Sequence, residues 1–285
     1  MKPFILVTGA TGNVGSDLVK CLHQAGANVR AAVVSPAEAA LLPDGVAWEL
    51  FDFTKPATFP AAFADVDKIF LMRPPHISNI KRDMQPALDY AAQAGVQHIV
   101  FLSLLGAEKN SFVPHAKVEQ LLLEGSVPTT LLRCGFFMQN LSTTHREDIR
   151  DNDDIFIPAG QGKTSFIDVR DIAAVAARIL TEPGHIGKAY PLTGGEALNY
   201  ADVAAQMTAT LERPIRYSNP SVLRFAWRLW RRGHPLGYVG VVTAIYLTTR
   251  FGLAGTVTPD TAVLLKRPPI TMKQFITDYA AVWQK

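Results

Sequence analysis

The stretch TGATGNVG, residues 8–15, stands between an apolar run at residues 2–7 and a segment in which Val14, Leu18, Val19 and Leu22 recur at helical spacing. It therefore reads as the turn between a buried strand and a helix. Its three glycines, Gly9, Gly12 and Gly15, are three apart. Glycine has no Cβ, so it allows positive φ and the close approach of another group to the main chain. A strand, a glycine turn and a helix N-terminus together present backbone N–H groups to a phosphate or pyrophosphate. On this reading Gly9 makes the tight turn, Gly12 lets the pyrophosphate approach, and Gly15 packs the helix on the strand. Thr8, Thr11, Asn13 and Val14 share the loop. No Lys-Ser/Thr pair follows the glycines, so the loop is not a nucleoside-triphosphate P-loop.

The remainder of the first half repeats the pattern. Strands are expected at NVRAAVV, GVAWELFDF, VDKIFLM, HIVFLS and PTTLLR, with helices between them, including a long one over residues 78–94 and another at HAKVEQLLLE. Strands alternating with helices predict a doubly wound α/β fold with a parallel sheet. After Arg133 the rhythm changes. DIAAVAARIL reads as a helix, GKAYPLTG as a strand, and Asn199 as a helix N-cap with Asp202 in the first turn. From Val222 onward the chain reads as mainly helical. The expected division is residues 1–150 for the dinucleotide-binding part. Residues 151–285 form an interlaced part that adds to the sheet edge and supplies a smaller, helical substrate lobe.

The 285 residues are 48% hydrophobic and 19% charged, which suits a globular protein with a sizeable core. A net charge of +3 is too weak to imply direct binding of nucleic acid. Two cysteines, Cys21 and Cys134, supply neither a disulfide framework nor zinc spacing, and a cytoplasmic location is the default. The short run PFILV does not read as a signal peptide. GHPLGYVGVVTAIYLTT, between Arg232 and Arg250, carries no formal charge with neutral histidine. It contains a proline and interior glycines, and it is expected to be a buried or cleft-lining helix in preference to a membrane span. The preceding RFAWRLWRR mixes arginines with aromatics and admits contact with a membrane surface.

The blocks TGATGNVG, FLMRPP, HAKVEQLL, LLRCGFFMQNL, FIDVRDIA and LKRPPITMKQF, in this order along nearly the whole chain, resemble the NmrA-like branch of the atypical short-chain dehydrogenases. That branch includes NAD(P)H-dependent quinone, azo-dye and triphenylmethane-dye reductases, isoflavone-reductase-like enzymes and redox-sensing regulators. The resemblance implies a Rossmann fold with NAD(P) along the strand ends and a substrate lobe from the C-terminal half. At the end of the second strand an acid marks NAD and an arginine marks NADP. This chain has neither at Val34, only Ser35 and then Glu38, and Arg30 sits earlier in the strand. Family frequency favours NADP, with NAD as the alternative. Ser35 either meets the ribose or only caps the next helix. Asp52 and Phe53 either lie at the adenine or form a simple turn. Arg73, held by two following prolines, is expected at the pyrophosphate or at an acidic substrate group.

The larger short-chain dehydrogenase family works through Ser, Tyr and Lys, the tyrosine four residues before the lysine. Ser103 and Lys117 match, but Val113 occupies the tyrosine position and has no proton to transfer. Lys117 is the expected ribose-orienting or proton-donating residue, against the alternative of a solvated lysine. His115 is two residues earlier, about 200° around a helix, and is the weaker candidate acid. His76, Phe136, Phe137 and Met138 are the candidate substrate contacts. Phe225, Trp227, Trp230, Tyr238 and Tyr246 form a group that roofs the pocket or packs the core. Asp168 and Asp171 read as helix-start charges, not metal ligands.

The missing tyrosine favours soft, planar, conjugated acceptors over simple ketones, because such acceptors need no strictly placed acid. The expected function is NAD(P)H-dependent reduction of a quinone-like or azo-type compound by a monomer or homodimer. The alternatives are a non-enzymatic NAD(P) sensor with a protein partner, and a biosynthetic reductase or isomerase.

Overall fold

The structure is a computed structural model that describes residues 3–111 and 113–285. In chain order its elements begin with β1 (Phe4–Val7), α1 (Asn13–Gln24), β2 (Asn28–Val33), α2 (Pro36–Ala39), β3 (Ala47–Leu50), α3 (Phe59–Phe63), β4 (Lys68–Leu71), α4 (Ile80–Asp83) and α5 (Gln85–Gln93). Next come β5 (His98–Leu104), α6 (Pro114–Glu124), β6 (Thr129–Cys134), α7 (Arg146–Asn152), β7 (Asp154–Ile155), α8 (Val169–Thr181) and β8 (Ala189–Leu192). The chain ends with α9 (Tyr200–Leu211), β9 (Arg216–Tyr217), α10 (Val222–Arg231), α11 (Leu236–Arg250), α12 (Asp260–Leu265) and α13 (Met272–Asp278).

Two compact units result. The first runs to Cys134 and resumes over Val169–Leu192; the second comprises Gly135–Asp168 and Thr193–Lys285. In the first, seven parallel strands stand in the order β3-β2-β1-β4-β5-β6-β8. The order reverses between β1 and β4, which opens a crevice at the C-terminal strand ends beside the glycine turn. β1, β4 and β5 are nearly continuous apolar runs because helices cover both faces of the sheet. Ile5, Leu6, Ile69, Phe70, Val100 and Phe101 are fully buried. The apolar side of α8 packs against α1, which is why the chain returns to this sheet before leaving it for good.

The long helix expected at residues 78–94 is instead two, α4 and α5, broken at Met84. Pro86 lacks an N–H and its ring clashes with the carbonyl four residues back, so it stands in the first turn of α5 and cannot continue α4. The third strand is shorter than the run GVAWELFDF, closing at Leu50 before Asp52 turns the chain.

The second unit is mainly helical, with one two-stranded parallel ribbon, β7–β9. Its core is built on Ile149, Ile155, Ile157, Val203, Phe275 and Trp283. Asn199 caps α9 as expected. Its Oδ1 accepts from Asp202 N at 2.9 Å, while Asp202 Oδ2 accepts from Asn199 N at 3.0 Å. The uncharged run, expected to be a buried or cleft-lining helix, is α11; it is buried along one stripe, and its Tyr238 and Val242 border a small cavity with Phe225 and Leu229. α11 buries only Val239, Thr243, Tyr246 and Thr249, one stripe of its surface, and its other side is open. No helix of the described residues is long and apolar enough to cross a membrane.

Two buried histidines tie stability to pH. His98 Nε2 lies 2.8 Å from Thr130 Oγ1, whose single proton goes to the His185 carbonyl at 2.7 Å, so His98 donates and is the neutral Nε2–H tautomer. Burial, and then the Lys68 and His185 charges, push its pKa from 6.5 to about 4. His145, hydrogen-bonded to the Tyr246 hydroxyl, is also pushed to about 4, chiefly by burial. These groups bind protons more readily unfolded than folded. Their contribution is therefore complete above pH 6.5 and lost as pH falls towards 4. The thermal midpoint is expected to drop between pH 7 and pH 5, and His98→Gln, which keeps a donor, should flatten part of that slope. A midpoint that stays level for the parent protein would refute this assignment.

Candidate active site

The glycine turn is held by backbone geometry. Gly9 has φ +63°, and a Cβ there would strike the Met72 side chain. A Cβ at Gly15 would strike the Gly9 carbonyl, so the start of α1 rests directly on the turn. Gly12 is the N-cap of α1 and carries no capping side chain; Ser16 N is the first amide to bond back, to Gly12 O at 2.9 Å. The amides of residues 13–15 are thus left open beside the crevice, with the positive end of the helix dipole behind them. Thr8 lies beneath this loop with its hydroxyl fully used: it donates to Phe70 O at 3.0 Å and accepts from Met72 N at 2.8 Å. It locks the ends of β1 and β4 together.

At the end of β2, Ser35 starts α2 but its side chain makes no capping bond. The carboxylate of Glu38 folds back instead. It accepts from Val34 N at 3.2 Å and from Thr11 Oγ1 at 3.4 Å, which puts an acid between the strand end and the glycine loop. The sequence carried a signal for this, an acid four residues after Val34 in a helix opened by proline, but only the fold-back makes it a β2 acid. Arg30 faces away, donating to the carbonyls of Ala61, Ala62 and Ala64 at 3.2, 3.1 and 2.7 Å. Asp52 closes its own turn, accepting from Thr54 N at 2.9 Å and pairing with Lys55 at 3.0 Å. Phe53 is buried, edge-on to Phe51 with ring centroids 4.7 Å apart.

Beyond β4, Arg73 Nη1 donates to the carbonyls of Pro74, Pro75 and Ile77 at 2.9, 3.3 and 2.6 Å, while its buried Nε has no partner. Burial lowers its pKa from the ordinary arginine value. His76 is exposed on the loop that follows. His115, in the first turn of α6, stacks towards Phe101 at 6.1 Å, and its buried Nδ1 is also without a partner. Burial, then the Arg73 charge, push its pKa to about 4, so the imidazole is neutral near pH 7. Orphaned donor or acceptor atoms, here on two side chains near enough for the Arg73 charge to act on His115, are rare in a protein interior, where buried polar groups are paired. They are what a bound polar ligand would satisfy.

Ser103, Lys117 and the residues expected at the substrate have these surroundings. Val113 is the N-cap of α6, in extended conformation. Ser103 is buried and donates to the Glu119 carboxylate, which Arg133 holds from the other side at 2.7 and 3.1 Å. Lys117 is exposed and lines a surface hollow of about 650 Å³ with Ser78, Asn79, Lys81 and Gln120. The helical register separates it from His115: one side chain turns inwards to Arg73, the other outwards. In the second unit, Met138 is buried in the core, Phe136 packs towards Tyr246 at 6.3 Å, and Phe137 forms a bridge with Ile167 through its main chain. Phe225 and Tyr246 are core residues, whereas Trp227 and Trp230 are exposed. Asp168 is buried and accepts from Gln139 Nε2 at 2.8 Å, and no group of acidic, histidine or cysteine side chains among the described residues could hold a metal.

The chain is 35% identical over 285 residues to the NAD(P)H azoreductase of Xenophilus azovorans, an alignment covering 98% of this chain and 99% of the relative. It is 30% identical over 240 residues to quinone oxidoreductase 2 of Escherichia coli, covering 82% of this chain and 83% of the relative. Its structure superposes on that of the NADPH-dependent quinone oxidoreductase of Escherichia coli in complex with NADPH, with a TM-score of 0.87, 26% identity, and coverage of 97% of this chain and 100% of that one. The NmrA-like family profile matches residues 1–236, and with the glycine turn, the seven-stranded parallel sheet and these relatives in place, the chain belongs to the NmrA-like family.

Proposed function

We propose that this protein is an NAD(P)H-dependent oxidoreductase that reduces flat, conjugated acceptors of the quinone or azo type. The observation that carries the reading is the glycine turn under the open N-terminus of α1, in a chain similar along its whole length to an NAD(P)H azoreductase. The open amides of residues 13–15 suit a pyrophosphate, and the unpaired Arg73 Nε and His115 Nδ1 suit further polar atoms along the strand ends. The residues present therefore fit a dinucleotide. When bound in reduced form, that cofactor supplies a hydride.

The chain's own part is to bind, orient and assist. Arg73, pinned by three carbonyls, offers a fixed positive charge at the end of β4. His115, neutral near pH 7, has a free ring nitrogen with which to hold a nicotinamide amide or an acceptor oxygen. Val113 supplies no proton and His115 is neutral near pH 7, so the acceptor must tolerate protonation from water. A quinone does, because the electrons it gains spread over a conjugated ring. Glu38 sets the balance between the two nicotinamide cofactors. A carboxylate in its position accepts from a ribose 2′-hydroxyl and repels a 2′-phosphate.

Four outcomes are expected. Gly12→Val should fold normally and lose saturable NADPH binding in a fluorescence titration, since its side chain fills the space in front of the α1 amides; unchanged affinity would remove the glycine loop from the site. Glu38→Gln should shift the ratio of NADPH to NADH affinity towards NADPH by about one to two decades, the size of a charge-assisted interaction of roughly 1.5–3 kcal/mol. An unchanged ratio would take Glu38 away from the ribose.

His115→Ala should lower quinone-dependent NADPH oxidation on the order of 100-fold, with little change in the NADPH dissociation constant. Lys117→Ala, measured on matched preparations, tests the family role of the lysine. Its outward placement predicts turnover within about twofold of the parent, and a loss as large as that of His115→Ala would put Lys117 at the nicotinamide ribose instead.

A further inference from the structure

The second unit exposes a surface that its own fold does not explain. Residues 213–259 contain seven arginines and no lysine, aspartate or glutamate, in a chain whose net charge is only +3. Within this segment α10 is sharply two-faced. Phe225 and Leu229 are buried, while Leu223, Trp227 and Trp230, spaced i, i+4 and i+7 along the opposite side, are 83%, 55% and 56% exposed. Arg224 and Arg231 run beside that stripe. They make no ion pair among the described residues and lie over aromatic rings, Arg224 over Phe156 at 5.8 Å and Arg231 over Trp227 at 4.9 Å. Arg228 and Arg232, by contrast, are held by the buried Asp148 at 3.0 and 2.6 Å.

α11, packed against α10 through Tyr246 on Phe225, continues the anomaly. A half-exposed helix normally shows charged residues to water. The open side of α11 shows Gly237, Gly240, Val241, Ala244, Ile245 and Thr248, with no charge at all. Beyond its end Phe251 and Leu253 are more than 70% exposed. Apolar area of this kind in contact with water marks an interaction surface.

We propose that the α10–α11 face docks this protein on an anionic lipid bilayer. The composition selects that occupant. Arginines flanking exposed tryptophan and leucine are the residue types of the membrane interface, with the apolar groups entering the headgroup boundary and the cations meeting lipid phosphates. α11, with 15 residues, is too short to span, so the helices lie on the surface. A second copy fits less well. A two-fold contact would set this face on itself, arginine row against arginine row, and the segment that forms it carries no carboxylate of its own. A nucleic acid would meet the cations but leave the aliphatic area uncovered. The inference concerns the second unit alone and does not rest on the reaction proposed above.

The test is co-sedimentation of the full-length protein with large unilamellar vesicles, of phosphatidylcholine alone or with phosphatidylglycerol added, at low and high salt. Binding is expected only to the phosphatidylglycerol vesicles, falling with salt, with a blue shift of tryptophan fluorescence on binding. Arg224→Gln and Arg231→Gln should each weaken the partition about fivefold. Leu223→Asn combined with Val241→Asn, both exposed positions, should weaken it further while leaving NADPH affinity unchanged, which shows that the fold is intact. Equal binding to both vesicle types, or binding to neither, would overturn the proposal. So would a lipid-free dimer that the Leu223→Asn, Val241→Asn variant dissociates, because a second copy would then be the occupant.

Discussion

Gly15 sits so close to the carbonyl of Gly9 that no side chain fits between α1 and the turn before it. This contact sets the angle at which the helix leaves the sheet. It aims the open amides of the first helical turn at the strand ends, and it leaves the far side of α1 free to receive α8. Gly9, in turn, is held against Met72, whose amide is bonded to Thr8 Oγ1. The glycines, the threonine and β4 form one rigid corner. An anion-binding site made of backbone depends on such rigidity, since main-chain donors cannot adjust to a ligand as side chains do.

Around this corner the buried polar groups fall into two sets. Thr8, His98 with Thr130, and Ser103 with Glu119 and Arg133 are satisfied within the fold. The last of these is a buried ion pair with a hydroxyl on one side, and breaking it by removing one partner would leave an uncompensated charge. Its function is to join β5, α6 and β6. Arg73 Nε and His115 Nδ1 are the other set. The low dielectric that depresses the His115 pKa also makes an unmet nitrogen costly, so these two atoms are where a ligand gains most by binding.

The second unit follows a different logic. Its core is closed by aromatic packing, with Tyr246 in contact with Phe225, Tyr200 and the His145 ring, and Asp148 drawing Arg228 and Arg232 inwards. That leaves the outer stripes of α10 and α11 apolar. A core already complete does not need them, which is why their exposure points outwards to a partner.

The doubly wound fold was legible in the residues alone, because its signals are local. Period-two and period-3.6 hydrophobic patterns, three glycines at fixed spacing, and Asn199 with Asp202 act within a few positions of each other. The family followed from the order of short blocks along the chain. What the sequence could not rank was the choice of partner among side chains far apart in it. Ser103 and Lys117 occupy the spacing of a catalytic pair, yet Ser103 meets Glu119, and the helical register turns Lys117 outwards and His115 inwards to Arg73. Glu38 became the acid at β2 only through a backward fold of its side chain. The uncharged run at α11, read as buried or cleft-lining, is half open because packing consumes one stripe of a helix and composition does not say how many stripes will find a partner. Local periodicity determines which elements form. Burial, register and the pairing of distant polar atoms are decided only when those elements pack, since each depends on what the neighbouring element brings to the same few ångströms.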